Sequence, residues 1–294
     1  MGMKKKIFSG CGTAMFTPFR RGEVDVPALV RLTREQVAAG MDFLVPLGTT
    51  GETPTLSDEE KLLVFNTVKA HSGSLPVMVG VGTNSLSGTL ANMRLLSGAD
   101  AFLIVVPYYN KPPQRGLVAY FRALAAETDK PVVLYNVPGR TGTNLSAETT
   151  LSLAADVPNI VGVKEASGKR DQILKIIQGA PEGFSVLSGN DDDTRFLMDH
   201  GADGVVSVAS NLAPELMVRF VGALRAGDTA GTEAMEKRLA PLFRDLFVEP
   251  NPIPGKAGMA LLSRMEDCLR LPLVSALPET RALIEKDLKD LDLL

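Results

Sequence analysis

Short apolar runs alternate with amphipathic stretches along most of the chain. Eight of these runs read as strands: Gly12 to Phe16, Phe43 to Leu47, Val77 to Val81, Ala101 to Val106, Val132 to Tyr135, Ile160 to Lys164, Phe184 to Leu187 and Gly204 to Val208. Several are unbroken, Phe102-Leu103-Ile104-Val105-Val106 among them. A strand with one wet face alternates polar and apolar residues, so unbroken runs mark strands covered on both faces, as in parallel sheets. The intervening segments read as helices. Ser57-Asp58-Glu59-Glu60 is a capping box, with Leu62, Phe65 and Val68 following at helical spacing. A helix is predicted in the same way from Ser146, with Leu151 and Leu153. Eight strands alternating with helices, at roughly 20 to 35 residues per unit, predict a (β/α)8 TIM barrel. A doubly wound sheet is the rival architecture. It calls for Gly-x-Gly-x-x-Gly after the first strand, and none follows Phe16.

The barrel is complete near residue 225, which divides the chain into a barrel, 1–225, and a small all-helical domain, 226–294. Helical patterns run from Thr229 to Phe247, Lys256 to Leu269 and Pro278 to Leu294, with Pro250, Pro252 and Pro254 as a rigid bend between the first two. In the last, Leu283, Ile284, Leu288 and Leu291 form an apolar stripe among Glu285, Lys286, Asp287, Lys289 and Asp290. That stripe is expected to pack on the barrel or on another subunit.

Composition narrows the class. The 294 residues are 45% apolar and 22% charged, which fits an ordinary soluble globular protein with a large core. The net charge of -3 gives no basic surface for nucleic acid or an anionic membrane. Cys11 and Cys268 form no motif with each other or with His71 and His200, so neither a disulfide framework nor a metal site is expected. A reducing, cytoplasmic setting follows. Met1 to Lys6 is basic, and Phe8-Ser9-Gly10-Cys11 faintly resembles a lipoprotein cleavage box, but only Ile7 and Phe8 separate the lysines from Ser9, too few for a signal's apolar region. No run reaches the roughly 18 apolar residues of a membrane span.

Chemistry in such a barrel gathers at the C-terminal ends of the strands. The unusual polar residues fall there: Gly48-Thr49-Thr50-Gly51-Glu52, Pro107-Tyr108-Tyr109-Asn110-Lys111-Pro112, Tyr135-Asn136-Val137-Pro138-Gly139-Arg140-Thr141-Gly142, Lys164-Glu165-Ala166-Ser167-Gly168 and Ser188-Gly189-Asn190-Asp191. Lys164 ends an apolar run, which places its amine inside or at the mouth of the barrel. Burying a charge is costly unless it is paired or neutralised. Desolvation lowers a lysine pKa, to about 7 to 8 in catalytic cases, and a neutral amine attacks a ketone to give an iminium electron sink. A structural lysine paired with Glu165 or another acid is the competing reading, and the residues alone leave both open. Tyr135 faces the same rim, either as a proton relay or as a core tyrosine with a satisfied hydroxyl. The hydroxyls of Thr49 and Thr50, with nearby backbone N–H groups, suit a carboxylate or a plain turn. Arg140 offers a guanidinium fork for a carboxylate, although most loop arginines are merely solvated. Asn190 and Asp191 read best as helix caps.

Together these motifs resemble the dihydrodipicolinate synthase and N-acetylneuraminate lyase superfamily. The similarity runs from Gly12-Thr13-Ala14 through Asn251-Pro252-Ile253-Pro254-Gly255-Lys256, with the four motifs around Thr49, Tyr109, Arg140 and Lys164 in family order. It implies a Schiff-base-forming lyase needing no cofactor or metal. The Gly-Arg-Thr-Gly at Arg140 implies the synthase branch: condensation of pyruvate with L-aspartate 4-semialdehyde to 4-hydroxy-tetrahydrodipicolinate, on the diaminopimelate route to lysine. The resemblance makes Lys164 the Schiff-base lysine and Tyr135 the proton relay. Thr49 links Tyr135 to Tyr109, and Thr50 holds the pyruvate carboxylate. Arg140 holds that of the semialdehyde, and Gly189 and Val206 line the site. It also implies that Tyr109 comes from a neighbouring subunit of a dimer or a homotetramer, a dimer of dimers. Tyr108 and Asn84 match a lysine-inhibition cleft, but Asp58, Lys61 and Gly88 depart from it, so weak or absent inhibition by lysine is expected. Two other functions compete: a sugar-acid lyase of the same superfamily, which usually lacks the arginine, and a non-catalytic barrel that binds 2-oxo acids, which has no use for a proton relay.

Overall fold

The computed structural model describes residues 6–294. The first five positions of the basic Met1–Lys6 run lie outside the described residues. The chain has the (β/α)8-barrel fold followed by C-terminal helices, with eight strands in one parallel sheet. The strands are β1 (Gly10–Ala14), β2 (Phe43–Val45), β3 (Met78–Gly80), β4 (Ala101–Val105), β5 (Val132–Asn136), β6 (Ile160–Glu165), β7 (Ser185–Ser188) and β8 (Gly204–Ser207). An antiparallel ribbon, Phe19–Arg20 with Glu23–Val24, follows β1. Each predicted strand is present within a few residues. The reason is visible in β1, β2, β5, β7 and β8, which are buried at every position, as unbroken apolar runs require.

The helices are α1 (Val26–Ala39), α2 (Asp58–His71), α3 (Leu86–Leu95), α4 (Gln114–Ala125), the single turn α5 (Pro138–Thr141), α6 (Ala147–Asp156), α7 (Arg170–Gly179), α8 (Thr194–Asp199), α9 (Pro214–Ala226), α10 (Thr229–Asp245), α11 (Ile253–Leu261) and α12 (Pro278–Asp290). Sequence chemistry sets their starts. Ser57 Oγ accepts from the Glu60 N–H while Glu60 Oε2 accepts from the Ser57 N–H, completing the predicted capping box of α2. Ser146 caps α6 through the Thr149 N–H.

The chain forms two compact units. One is Met78–Val206 with the segment ending at Ser9, and the other is Gly10–Val77 with Ser207–Leu294. In the first, β3 through β8 pair in sequence order, with Tyr135 beside Lys164 and Asn136 beside Glu165 across β5 and β6. In the second, β1 pairs with β2, Gly12 opposite Phe43, and a parallel bridge joins Leu44 to Val77. There Asn211 ties down the end of β1, donating to Ala14 O at 2.8 Å and accepting from Phe16 N at 3.3 Å.

The C-terminal region departs from expectation in three ways. Its second helix is Ile253–Leu261 rather than Lys256 to Leu269. Pro254 is accommodated in the first turn, where a missing N–H costs nothing, so the prolines start the helix rather than only separating it from α10. In α12, Leu283 is 40% exposed while Asp287 is 3% exposed, so one apolar residue turns outward and one acid inward. Finally, the buried Ile284 and Leu288 pack with the chain's own α10 and α11.

Asp287 faces Asp245 of α10 there. Arg244 grips Asp245 with Nε 2.6 Å from Oδ1 and Nη2 2.8 Å from Oδ2. That grip holds the Asp245 carboxyl below its usual range. Burial and the Asp245 charge push Asp287 up to about 7. A carboxyl with a raised folded pKa favours the folded state while protonated. Its contribution is complete below the unfolded value of about 3.9 and is lost as pH rises through about 7. Asp287→Asn should therefore flatten the decline in stability between about pH 4.5 and 7.5 and gain about 1–2 kcal/mol over the parent at pH 8. Urea unfolding at pH 5 and pH 8 measures this, and an equal pH slope in both proteins would contradict it.

Candidate active site

Strands β5 and β6 place four chemically distinct residues in two adjacent pairs. Side chains alternate between the faces of a strand, so neighbours in register share a face. Tyr135 and Lys164 lie together on one face, with Lys164 Nζ 4.4 Å from the Tyr135 ring centroid. Both are buried, at 7% and 6% exposure. Among the described residues, no carboxylate forms an ion pair with Lys164. The Lys164 side chain is held among apolar strands, with its Nζ over the Tyr135 ring face.

Asn136 and Glu165 occupy the opposite face. Glu165 accepts from Asn136 Nδ2 at 3.1 Å, from Ser167 N at 2.9 Å and from Gln172 Nε2 at 3.2 Å. Burial raises the Glu165 pKa, and these donors only partly offset it. Strand alternation therefore rules out the reading in which Glu165 neutralises Lys164. Glu165 instead anchors a loop. Asn136 Oδ1 accepts from Leu145 N at 2.9 Å, and Gln172 Nε2 donates to Leu145 O at 3.1 Å. The segment from Val137 to Leu145, which carries Arg140, is pinned to the strand ends at its far end.

Gly189, just after β7, packs against the lysine. A Cβ built on it would lie 2.6 Å from Ala166 Cβ and 3.1 Å from Lys164 Cε, so any side chain would displace the amine's own stem. Its N–H donates to Glu165 O at 2.8 Å. Val206 is fully buried in β8. Arg140 is exposed, on α5. Tyr109 is 88% exposed, at a φ of +73°, and its N–H donates to Thr141 O at 3.3 Å, which ties its loop to the Arg140 turn. Asn190 and Asp191 do not cap α8 through their side chains, because the helix begins later, with Asp193 at its N-cap position. The Asn190 carbonyl accepts from Thr194 Oγ1 at 3.1 Å instead.

In the other unit, Thr49–Gly51 forms a 3₁₀ turn with Thr49 half-buried and Thr50 3% exposed. Two contacts to this turn were not foreseen from sequence. Asn251 Nδ2 donates to Thr50 Oγ1 at 2.9 Å. Lys256 Nζ meets Glu52 Oε1 at 2.5 Å with both side chains fully buried, and donates to Cys268 O at 3.0 Å. Glu52 Oε2 also accepts from Arg270 N at 3.0 Å. Burial lowers the Lys256 pKa against the opposing pull of Glu52. Asn251 and Lys256 stand in the Pro-rich segment that ends the family resemblance, and nothing in that segment pointed to these partners. Asp58 and Lys61, of the supposed cleft, pair with each other at 2.8 Å. A Cβ on Gly88 would lie 2.9 Å from Ser85 Oγ and from Thr83 Oγ1, so short hydroxyl side chains already fill that position.

Fold and site define a class first: (β/α)8-barrel proteins that carry a strand-borne buried amine beside a phenol, an arrangement for carbonyl chemistry. The Dihydrodipicolinate synthetase family profile matches residues 7–291, and the chain belongs to that family. It is 45% identical to a 4-hydroxy-tetrahydrodipicolinate synthase of Thermotoga neapolitana, over 98% of this chain and 100% of the relative. A solved dihydrodipicolinate synthase of Thermotoga maritima superposes with a TM-score of 0.95 at 44% identity, over 98% of this chain and 100% of that one. A structure of a monomeric dihydrodipicolinate synthase variant matches with the same TM-score of 0.95 and 44% identity, over 98% of each chain. Among the described residues, no helix is long and apolar enough to cross a membrane, and no three His, Cys, Asp or Glu side chains gather around a metal-sized space.

Proposed function

We propose that this chain condenses pyruvate with L-aspartate 4-semialdehyde to 4-hydroxy-tetrahydrodipicolinate in the diaminopimelate route to lysine. The observation that carries this is Lys164, buried beside the Tyr135 ring and, among the described residues, without a carboxylate partner. The amine of Lys164 adds to the pyruvate ketone, and water leaves to give an iminium. Loss of a proton from the methyl group yields an enamine, whose carbon attacks the aldehyde and takes up a proton on the new alkoxide. The substrate's own amine then displaces Lys164 from the iminium carbon, closing the ring and freeing the enzyme. The balance is one molecule from two, with one water released.

In this reading Tyr135 relays the protons, Thr49 links it to Tyr109, and Thr50 with its loop amides holds the pyruvate carboxylate. Gly189 and Val206 leave room around the imine. Tyr109, almost wholly exposed, reaches a neighbouring subunit's site in a dimer or a tetramer built as a dimer of dimers. The enzyme works in the cytoplasm, its segment 226–294 forms a helical domain that follows the catalytic barrel in the chain, and it responds weakly or not at all to lysine.

Arg140 separates this function from a sugar-acid lyase. The protein should turn over aspartate semialdehyde with pyruvate and leave N-acetylneuraminate and 2-keto-3-deoxy sugar acids untouched. Arg140→Ala should lower kcat/KM for the semialdehyde by about 10²–10³, the worth of a lost bidentate carboxylate contact, while pyruvate still forms its adduct. Turnover of a sugar acid, or an unchanged semialdehyde kcat/KM in Arg140→Ala, would move the chain to the other branch.

A further inference from the structure

We propose that Asn251 is a positioning residue that makes the Thr50 hydroxyl a hydrogen-bond donor toward the substrate carboxylate. The inference rests on the role assigned to Thr50 in the proposed function and goes beyond it.

The case is one of hydrogen-bond polarity. A threonine hydroxyl carries one proton and two lone pairs, and an amide N–H can only donate. Asn251 Nδ2 lies 2.9 Å from Thr50 Oγ1, so Thr50 is the acceptor in that pair. Its own proton must point elsewhere. Among the described residues no acceptor takes it, although Thr50 is 3% exposed and water has little access. A buried donor left unmatched costs about 1–3 kcal/mol, so the site favours a ligand that supplies an acceptor. A carboxylate oxygen accepts only. The reverse orientation, with the asparagine carbonyl toward Thr50, would draw that proton away and leave lone pairs facing the anion.

The backbone on both sides of this pair is held firmly. Asn251 is 5% exposed and lies between Pro250 and Pro252, whose rings restrict the backbone around it. The Ile253 N–H donates to Pro250 O at 3.0 Å across it. On the other side, Glu52, two residues beyond Thr50, is clamped by Lys256 at 2.5 Å and by the Arg270 N–H at 3.0 Å. The Thr49–Gly51 turn therefore has little freedom to re-aim its hydroxyl.

Asn251→Asp and Asn251→Ala test this with steady-state kinetics, alone and combined with Thr50→Val. In Asn251→Asp a carboxylate takes the Thr50 proton, and the pyruvate KM should rise by about 30-fold or more while the semialdehyde KM moves less than about twofold. In Asn251→Ala the proton is no longer directed, and the pyruvate KM should rise by about three- to tenfold. On a Thr50→Val background, where no hydroxyl remains to be oriented, the Asn251→Ala effect should vanish. An unchanged pyruvate KM in both single variants overturns the proposal, as does an Asn251→Ala effect of the same size with and without the Thr50 hydroxyl. If Asn251→Asp does not fold, Asn251→Ala and its Thr50→Val cycle decide alone. A parent protein that shows no borohydride-trapped pyruvate adduct on Lys164 overturns the proposed function. A parent that shows it, with Asn251 variants of normal pyruvate KM, overturns only this inference.

Discussion

Lys164→Ala should give no pyruvate adduct on borohydride reduction and should lose at least about 10³-fold in kcat. The parent protein should show one adduct, the mass of reduced pyruvate, confined to Lys164. Alanine removes both the nucleophile and the cation that serves as electron sink, and neither is supplied by a neighbour. Among the described residues, the amine has no carboxylate partner and lies against an aromatic ring. A loss of this size is ordinary when a covalent catalyst is deleted. Because Lys164 has no ion pair among the described residues to leave broken, the variant should fold, with a stability change limited to about 1–3 kcal/mol from lost packing. An adduct that persists in Lys164→Ala, or that maps to another lysine, would end the Schiff-base reading.

The other buried lysine should fail in the opposite way, through stability. Lys256→Met leaves the Glu52 carboxylate fully buried, with the Arg270 N–H still donating to it. Breaking one side of a buried pair costs about 3–5 kcal/mol, a large share of the total stability of a domain. The Phe19 ring loses a cation as well, since Lys256 Nζ lies 4.2 Å from its centroid and the Arg270 guanidinium 4.4 Å from it. Pairing the change with Glu52→Gln should return part of the loss, because no charge then remains unpaired. Urea unfolding of the single and double variants measures both terms. A single-variant cost below about 1 kcal/mol would show that Glu52 relaxes to water and that the clamp on the Thr49–Gly51 turn is weak.

These two lysines show how far sequence patterns reach. Both stand in apolar company, Lys164 after Ile160-Val161-Gly162-Val163 and Lys256 within Pro254-Gly255-Lys256-Ala257-Gly258-Met259. Lys164 was legible because strand position and the surrounding rim motifs gave it a place and a chemistry. Lys256 was not, because its partner Glu52 lies more than 200 residues away, and no local rule links a helix start to a distant turn. The same holds for Asn251 and Thr50. Asp287 misled for a related reason: helical periodicity marks an apolar stripe, but one acid within it can turn inward when a second acid and an arginine meet it there.

By itself, the sequence determined the (β/α)8 class, the eight strands and the capping of α2 and α6. These follow from local periodicity and from backbone groups satisfied within a few residues. It also brought the chemically distinctive residues to strand ends. The tertiary structure decided which side chains are neighbours: Tyr135 and Lys164 on one face, Asn136 and Glu165 on the other, Asn251 on Thr50 and Lys256 on Glu52. Strand register and long-range packing set those distances, and neither is written in any short window of the chain.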